Sequence, residues 1–546
     1  MGYTCVYLSG PRRFCPKIIF NAKSPQKLII ILPIICKFLT AVFCFPTITK
    51  PQRDLTLLLR IILFCALLLS VPASHAVQSQ PRPLPGSHTA VAYMTSGGVG
   101  GYNVDTYMHP ASTQKVLTAL AAVLHLGNDY TFKTRLAVSS SAVKNKKVSV
   151  SKGTLNGDVM VRFTGDPTLT VEKYKKLLTE LKNRGISNIT GRVYLDVSRF
   201  GDPSRATGWS WDDLPVCFTA PSSPIILNRN CTYAQVQPHG AGNKVTPVVP
   251  RGTPIELITD AIGVNAKNYG GDCKLEANLY FGNKYHITGC VPIQRKNKAW
   301  PLSLAVSDAN QWGIDWTRRI LSNLGIKVKG GIHITKRPRP QFTTISRVTS
   351  NSLRELVKYM LQKSNNLYAD AIAKNTAYEF YNRPATYHRT SQAIRSILRQ
   401  YADINIGKAY IVDGSGLSPH NLLCPRDLLK VLDYIRKNDS KLNLLASFPV
   451  SGTSGTMRWR ASSRDAPLRG NVIAKTGTLQ NVSNLAGFIR SRSGGLVPFV
   501  MFTNAITYDQ RTRDRVKARR IASPHYGYEK HVLMSIYNGQ NVPSPH

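Results

Sequence analysis

Hydrophobic and polar positions divide this chain into stretches of different rhythm. Before residue 77, apolar runs at 28–45 and 55–69 are flanked by Lys and Arg, with Asp54 the one acid among them. The second run ends in Ser-Val-Pro-Ala-Ser-His-Ala, whose small residues Ser74 and Ala76 predict a secretory signal cleaved before Val77. Lys37 and Arg60 interrupt the runs, so neither reads as a clean membrane span. Two such leaders in tandem suggest a start assigned too far upstream, and residues 1–76 are expected to be leader.

From 77 to about 135 a strand-like start precedes a helix. Its apolar positions Val116, Leu117, Leu120, Ala121, Val123 and Leu124 recur at i, i+3 and i+4, the pattern of a buried helix. Residues 136–314 change character. Short alternating segments such as DVMVRF, RVYLDV and HITGCV predict mostly β structure, with one helix over 171–185. An amphipathic helix follows near 310–325, and helical periodicity dominates from about 345 to 470. The segments NVIAKTGTL, NLAGFIRSR and GLVPFVMFTNA then predict three neighbouring antiparallel strands, and a basic segment with helical character closes the chain.

Charge and cysteines narrow the setting. The formal net charge is +42; nine basic residues and Asp54 precede Val77, so about +34 remains after it. Such charge favours anionic partners. Export makes nucleic acid a poor candidate and an anionic cell envelope a better one. Of the five cysteines after residue 77, Cys217, Cys231, Cys273 and Cys290 cluster and are expected to pair. Three connectivities are open, nearest neighbours in sequence being the simplest. Cys424 is left as a buried free thiol. The spacings lack the close pairs of a zinc site, and SGGVGG at 96–101 lacks the Lys-Ser/Thr of a phosphate-binding loop, so no cofactor is expected.

The candidate chemistry is Ser112 and Lys115, three apart where the buried helix begins. The spacing alone is weak, since Ser24/Lys27, Ser141/Lys144 and Ser149/Lys152 repeat it. What separates Ser112 is its place near a helix N-terminus, where unpaired N–H groups favour developing negative charge. Ser364-Asn365-Asn366 follows at a break between helices, then Lys475-Thr476-Gly477-Thr478 on a strand. This ordered set resembles the serine active sites of penicillin-binding proteins and class A β-lactamases. In that reading Ser112 is the nucleophile and Lys115 the base. Ser364 relays a proton, Asn366 holds a peptide amide and Lys475 adds positive potential. Thr476 and Thr478 bind the substrate carboxylate, and the Ser112 and Thr478 N–H groups form the oxyanion hole.

Beyond those motifs, PASTQKVLTALAA, TGDPTLT, GWSW, CFTAP, NRNC, TGCVP, DGSGLSPHNL and AKTGTLQ make residues 88–540 similar to the class C low-molecular-mass penicillin-binding proteins, the D-alanyl-D-alanine carboxypeptidase/endopeptidases. The resemblance implies an α/β (α+β) fold. A discontinuous catalytic domain, an antiparallel sheet flanked by helices, would span 77–135 and 315–546, with an inserted mostly-β domain at 136–314. Some 250 residues between Ser112 and Ser364 accommodate that insertion.

The resemblance also implies hydrolysis of peptidoglycan stem peptides in the periplasm, covalent inhibition by β-lactams, and a side-chain pocket made by Asp196, Phe200, Arg460 and Gln480. Asn365 stands where the motif has Asp, and should point away from substrate. No Glu-x-x-Leu-Asn element supplies a deacylation base, which argues against rapid β-lactam hydrolysis. A β-lactamase or esterase on the same fold, and a non-catalytic wall-binding scaffold, are the alternatives.

Overall fold

The computed structural model describes residues 81–270, 273–294, 298–337 and 341–544. The expected leader and its cleavage point lie outside them. No helix among the described residues is long and apolar enough to cross a membrane.

The described chain opens with a hairpin, β1 (His88–Thr95) and β2 (Gly98–Tyr102), turning at the glycine-rich 96–101 segment. A short 3₁₀ turn, Ala111–Gln114, leads into α1 (Lys115–Leu126). Next come β3 (Lys133–Ser139), β4 (Val159–Arg162), α2 (Val171–Asn183), β5 (Val193–Asp196), β6 (Cys231–Gln237), β7 (Lys284–Pro292), β8 (Trp300–Ala305), α3 (Ala309–Asn323), β9 (Ile332–Thr335) and β10 (Phe342–Thr349). Helices α4 (Leu353–Lys363), α5 (Asn366–Tyr381), α6 (Tyr387–Ala402) and α7 (Pro425–Leu442) precede β11 (Val472–Leu479), β12 (Val482–Arg490) and β13 (Leu496–Asn504). The basic segment forms α8 (Gln510–Lys517), and α9 (His525–Tyr537) follows.

Five strands in the order β2-β1-β13-β12-β11 make one antiparallel sheet, so the first described strand pairs with the last and closes a discontinuous domain. Period-two alternation splits its apolar residues between faces. Ala90, Ala92, Phe488, Val500 and Phe502 pack into the core with α1 and α7. Val91, Tyr93, Leu485, Phe499 and Met501 pack against Tyr528, Val532, Leu533 and Ile536 of α9. Both faces are covered, which explains why β11 to β13 read as nearly continuous apolar runs. Helix α1 is buried from Lys115 through Val123 at the centre of the helical layer.

The insertion is rich in strands, as expected, and adds parallel pairing and helices. Its larger sheet, β9-β5-β4-β3-β10, pairs β9, β5 and β4 in parallel, and parallel neighbours need crossover connections. Helix α2 supplies one, and α3 precedes β9. This lobe is α/β, with Tyr174, Leu178, Trp312 and Ile320 in its core. A smaller β lobe, built on β6, β7 and β8, buries Val236, Tyr285, Ile287 and Leu304. Because β10 pairs along β3, the inserted sheet runs to about residue 349, correcting the expected boundary at 314. The pairings Cys217–Cys231 and Cys273–Cys290 are formed, and Cys424 is a buried free thiol whose pKa burial pushes up to about 11.

Candidate active site

Ser112 lies in the 3₁₀ turn, one turn before the expected position, because α1 begins at Lys115. Preceding it, Ala111 is fully buried at φ +47°, a left-handed conformation costing an L-residue about 1–2 kcal/mol. Two glycines let the surroundings close on this turn. A Cβ on Gly416, itself at φ +75°, would sit 1.9 Å from the Ala111 carbonyl oxygen, and one on Gly477 would sit 2.7 Å from that of Pro110. The loop 413–416 and strand β11 therefore approach the serine as no side chain would permit.

Lys115 is completely buried. Its Nζ donates to Ser112 Oγ, Asn366 Oδ1 and the Ser415 carbonyl, each at 2.7 Å. Desolvation pulls its pKa down to about 8, against the opposing pull of Asp370 and Asp413. An ammonium has three hydrogens, and each has one acceptor here. Once a proton leaves, the Asn366 and Ser415 oxygens, which can only accept, retain the two remaining N–H groups. The lone pair then faces Ser112 Oγ, the one partner able to donate back. The Asn366 amide is oriented for this task by donating through Nδ2 to the Phe218 carbonyl at 2.9 Å. Phe218 neighbours Cys217, so a disulfide-tethered turn of the insertion fixes the Asn366 side chain.

Ser364 terminates α4 at φ +55°, and Asn365 caps α5 by accepting from the Tyr368 N–H at 3.0 Å. Asn365 is thus spent on the cap, as its expected outward orientation requires. Lys475, on β11, donates to Ser364 Oγ at 2.8 Å and to the Thr476 carbonyl at 2.7 Å. Its pKa falls well below the ordinary lysine value through desolvation and the nearby cations Lys115 and Arg460. Ser364 accepts from Lys475, so its own O–H is free to donate toward a departing group. Thr476 is buried and donates to Thr456 Oγ1 at 2.8 Å, whereas Thr478 is exposed at the strand's end.

Several contributors escaped the sequence reading. Asp413 accepts from the N–H groups of Gly416 at 2.6 Å and Ser418 at 2.7 Å and from Trp209 Nε1 at 3.0 Å. Asp370 accepts from the Gly414 N–H at 2.8 Å, and Thr118 donates to the Gly414 carbonyl at 2.6 Å. Together these hold the Ser415 carbonyl against Lys115. The paired glycines of Asp-Gly-Ser-Gly were the available signal; Thr456 and the Phe218 carbonyl had none.

The four residues expected to make the side-chain pocket are placed as follows. Arg460 is buried in a two-pronged ion pair with Glu529, itself buried, and also donates to Ser483 Oγ at 3.0 Å, which leaves its guanidinium occupied. Asp196 is buried at the end of β5, accepts from the Ser198 N–H at 2.9 Å and lies 3.6 Å from Arg162 Nε. Phe200 packs in the main core and lines a cavity of about 290 Å³ beside Asp202 and Lys336. Gln480 is exposed and lines a different cavity of about 410 Å³ with Thr478, Tyr508 and Arg513. Spacing in sequence carried no information on Glu529, the partner 69 residues away that claims Arg460. Among the described residues no group of three or more His, Cys, Asp or Glu side chains is placed to hold a metal ion.

Residues 74–522 match the model of the D-Ala-D-Ala carboxypeptidase 3 (S13) family. The chain is 36% identical over 440 residues to D-alanyl-D-alanine carboxypeptidase DacB of Haemophilus influenzae, covering 80% of this chain and 88% of that one. It is 24% identical over 404 residues to the D-alanyl-D-alanine carboxypeptidase of Actinomadura sp. (strain R39), covering 71% and 72%. Its fold superposes on the crystal structure of penicillin binding protein 4 (dacB) from Haemophilus influenzae with a TM-score of 0.77 at 35% identity, covering 84% of this chain and 98% of that one. The structure of that protein complexed with a β-lactam gives 0.73 at 34% identity, with the same coverage.

Proposed function

The chain belongs to the D-Ala-D-Ala carboxypeptidase 3 (S13) family and is a serine-type carboxypeptidase of that class; from this premise we propose that it works in the periplasm on peptidoglycan stem peptides and their D-alanyl cross-links, through an acyl-serine that β-lactams trap. The observation that carries the reading is the placement of Lys115 Nζ between Ser112 Oγ and two oxygens that can only accept.

Neutral Lys115 takes the Ser112 hydroxyl proton as Oγ bonds to the carbonyl carbon of the scissile peptide. As the C–N bond breaks, the departing amine takes the Ser364 proton, and the proton that Lys115 took from Ser112 passes through Lys475 to replace it, which leaves Lys115 neutral again. Water then attacks the ester, giving up its proton to the same base and releasing the acid with Ser112 restored. The exposed Thr478 hydroxyl supplies a hydrogen bond for a terminal carboxylate, and Lys475 adds positive potential while it holds the relayed proton. A bidentate cleft of this kind serves a carboxypeptidase and an endopeptidase alike, since both cut after a D-alanyl carbonyl. The charge of about +34 that remains after residue 77 suits residence against an anionic envelope.

The test is intact mass of the purified protein, wild type and Ser112→Ala, after incubation with a β-lactam. A stable drug-sized adduct on wild type alone is expected. Drug consumed without an adduct would instead identify a β-lactamase, and neither adduct nor consumption would mean a scaffold.

A further inference from the structure

A further cavity, of about 480 Å³, opens where the insertion meets the helices that carry the Ser364-Asn365-Asn366 motif. Tyr359 of α4 lies five residues before Ser364, and Tyr368 of α5 two residues after Asn366; their rings stack at 4.5 Å. From the insertion, α3 contributes Trp312 and Trp316, one helical turn apart with ring centroids at 5.6 Å, and β6 contributes Tyr233, which is 56% exposed. This is the size and setting of a small-molecule site at a domain junction.

Arg229 stands at the same wall. Its guanidinium donates to two phenol oxygens, Tyr359 Oη at 3.1 Å and Tyr233 Oη at 3.3 Å, and it forms no ion pair with a carboxylate among the described residues. The backbone that presents it is unusual. Asn228, Arg229 and Asn230 have φ of +52°, +62° and +47° in succession, a conformation that side chains other than Asn rarely adopt and that persists only where its surroundings enforce it. They do so here: Asn228 Oδ1 accepts from the Val171 N–H at 3.0 Å, and Asn230 Nδ2 donates to the Pro221 and Ile225 carbonyls at 3.0 and 2.9 Å. Trp316 Nε1 is buried without a hydrogen-bond partner, an unspent donor on a ring that lines the cavity.

Flat aromatic faces, phenol hydroxyls, a free indole donor and a cation without a counter-charge form one chemical description. The aromatic faces suit the C–H face of a sugar ring, the polar tips suit its hydroxyl and amide groups, and Arg229 suits a carboxylate. We propose that this cavity is a glycan subsite that binds an N-acylated amino sugar bearing a carboxylate. It would hold a sugar of the wall polymer whose carboxylate carries no peptide, while the peptide branch of a neighbouring sugar enters the Ser112 cleft beyond the end of α5. The choice of polymer rests on the activity proposed above; the preference for an acidic sugar rests on the cavity alone.

The probe is the peptide-free disaccharide of N-acetylglucosamine and N-acetylmuramic acid, titrated into the purified protein by saturation-transfer NMR, with neutral diacetylchitobiose as control. Saturable binding is expected, at least fivefold tighter for the acidic disaccharide. Arg229→Gln should remove that preference, and Tyr233→Ala should weaken both sugars about tenfold. Tyr233 is exposed, so this variant keeps a readout should Arg229→Gln fail to fold, and its β-lactam acylation of Ser112 should match wild type. Absence of binding, or binding indifferent to both substitutions, would overturn the subsite. Disaccharide binding by a protein that neither acylates nor cleaves peptide would refute the proposed activity and leave the subsite standing.

Discussion

Lys115 and Arg460 are both buried basic side chains near Lys475, and their partners make them opposites. Arg460 is matched by the carboxylate of Glu529, so its charge is permanent and its role is to clasp the segment before β11 to α9. Lys115 has no ion pair, only a hydroxyl and two neutral oxygens within reach. Desolvation is then left to act, and the group titrates near neutrality. A buried cation with a counter-ion is a fastener; one denied a counter-ion becomes a base.

This contrast predicts opposite signatures for the same kind of substitution. Lys115→Met should lower the β-lactam acylation rate by at least about 10⁴-fold, the scale of losing one member of a nucleophile and base pair, while the unfolding midpoint moves little. Arg460→Met should do the reverse. It strands Glu529 in the interior and should cost about 3–5 kcal/mol in denaturant unfolding, much of which Arg460→Met with Glu529→Met should restore. Equal stability losses in the two single variants would erase the distinction.

How far the sequence could anticipate this divides along the same line. The sheet strands were legible because both faces of β11 to β13 are covered, and α1 because it is buried all round. The Ser112–Lys115 pairing was legible because its spacing is local, and the approach of Lys475 to Ser364 because their order along the chain matches the resemblance. The pairing of Arg460 with Glu529 was not legible because its partner lies on α9, and long-range pairing leaves no periodic trace. The insertion was read as mostly β because its short strands alternate, while the parallel pairing of β4, β5 and β9 shows only in three dimensions. The Asp413 loop went unassigned for a related reason, since its contribution is a backbone carbonyl.

Two smaller effects sharpen the account of the base. Gly477→Ala would push β11 off the Pro110 carbonyl, 2.7 Å from the added Cβ, and an ångström of displacement there should cost roughly 10²-fold in acylation. Asn366→Asp would place a carboxylate against Lys115 and lose the amide donated to Phe218. By favouring the charged lysine it should raise the midpoint of the pH–rate profile by about 1–3 pH units, whereas an unchanged midpoint would mean that Asn366 does not set the lysine's environment.

The most direct measurement is the acylation rate of the wild-type protein by a reporter β-lactam from pH 6 to 10. Lys115 is active in its neutral form, so the rate should rise tenfold per pH unit below the midpoint, bend near pH 8 and level off above it. A rate that is flat across this range, or that falls as the pH rises through 8, would contradict the assignment of Lys115 as the base.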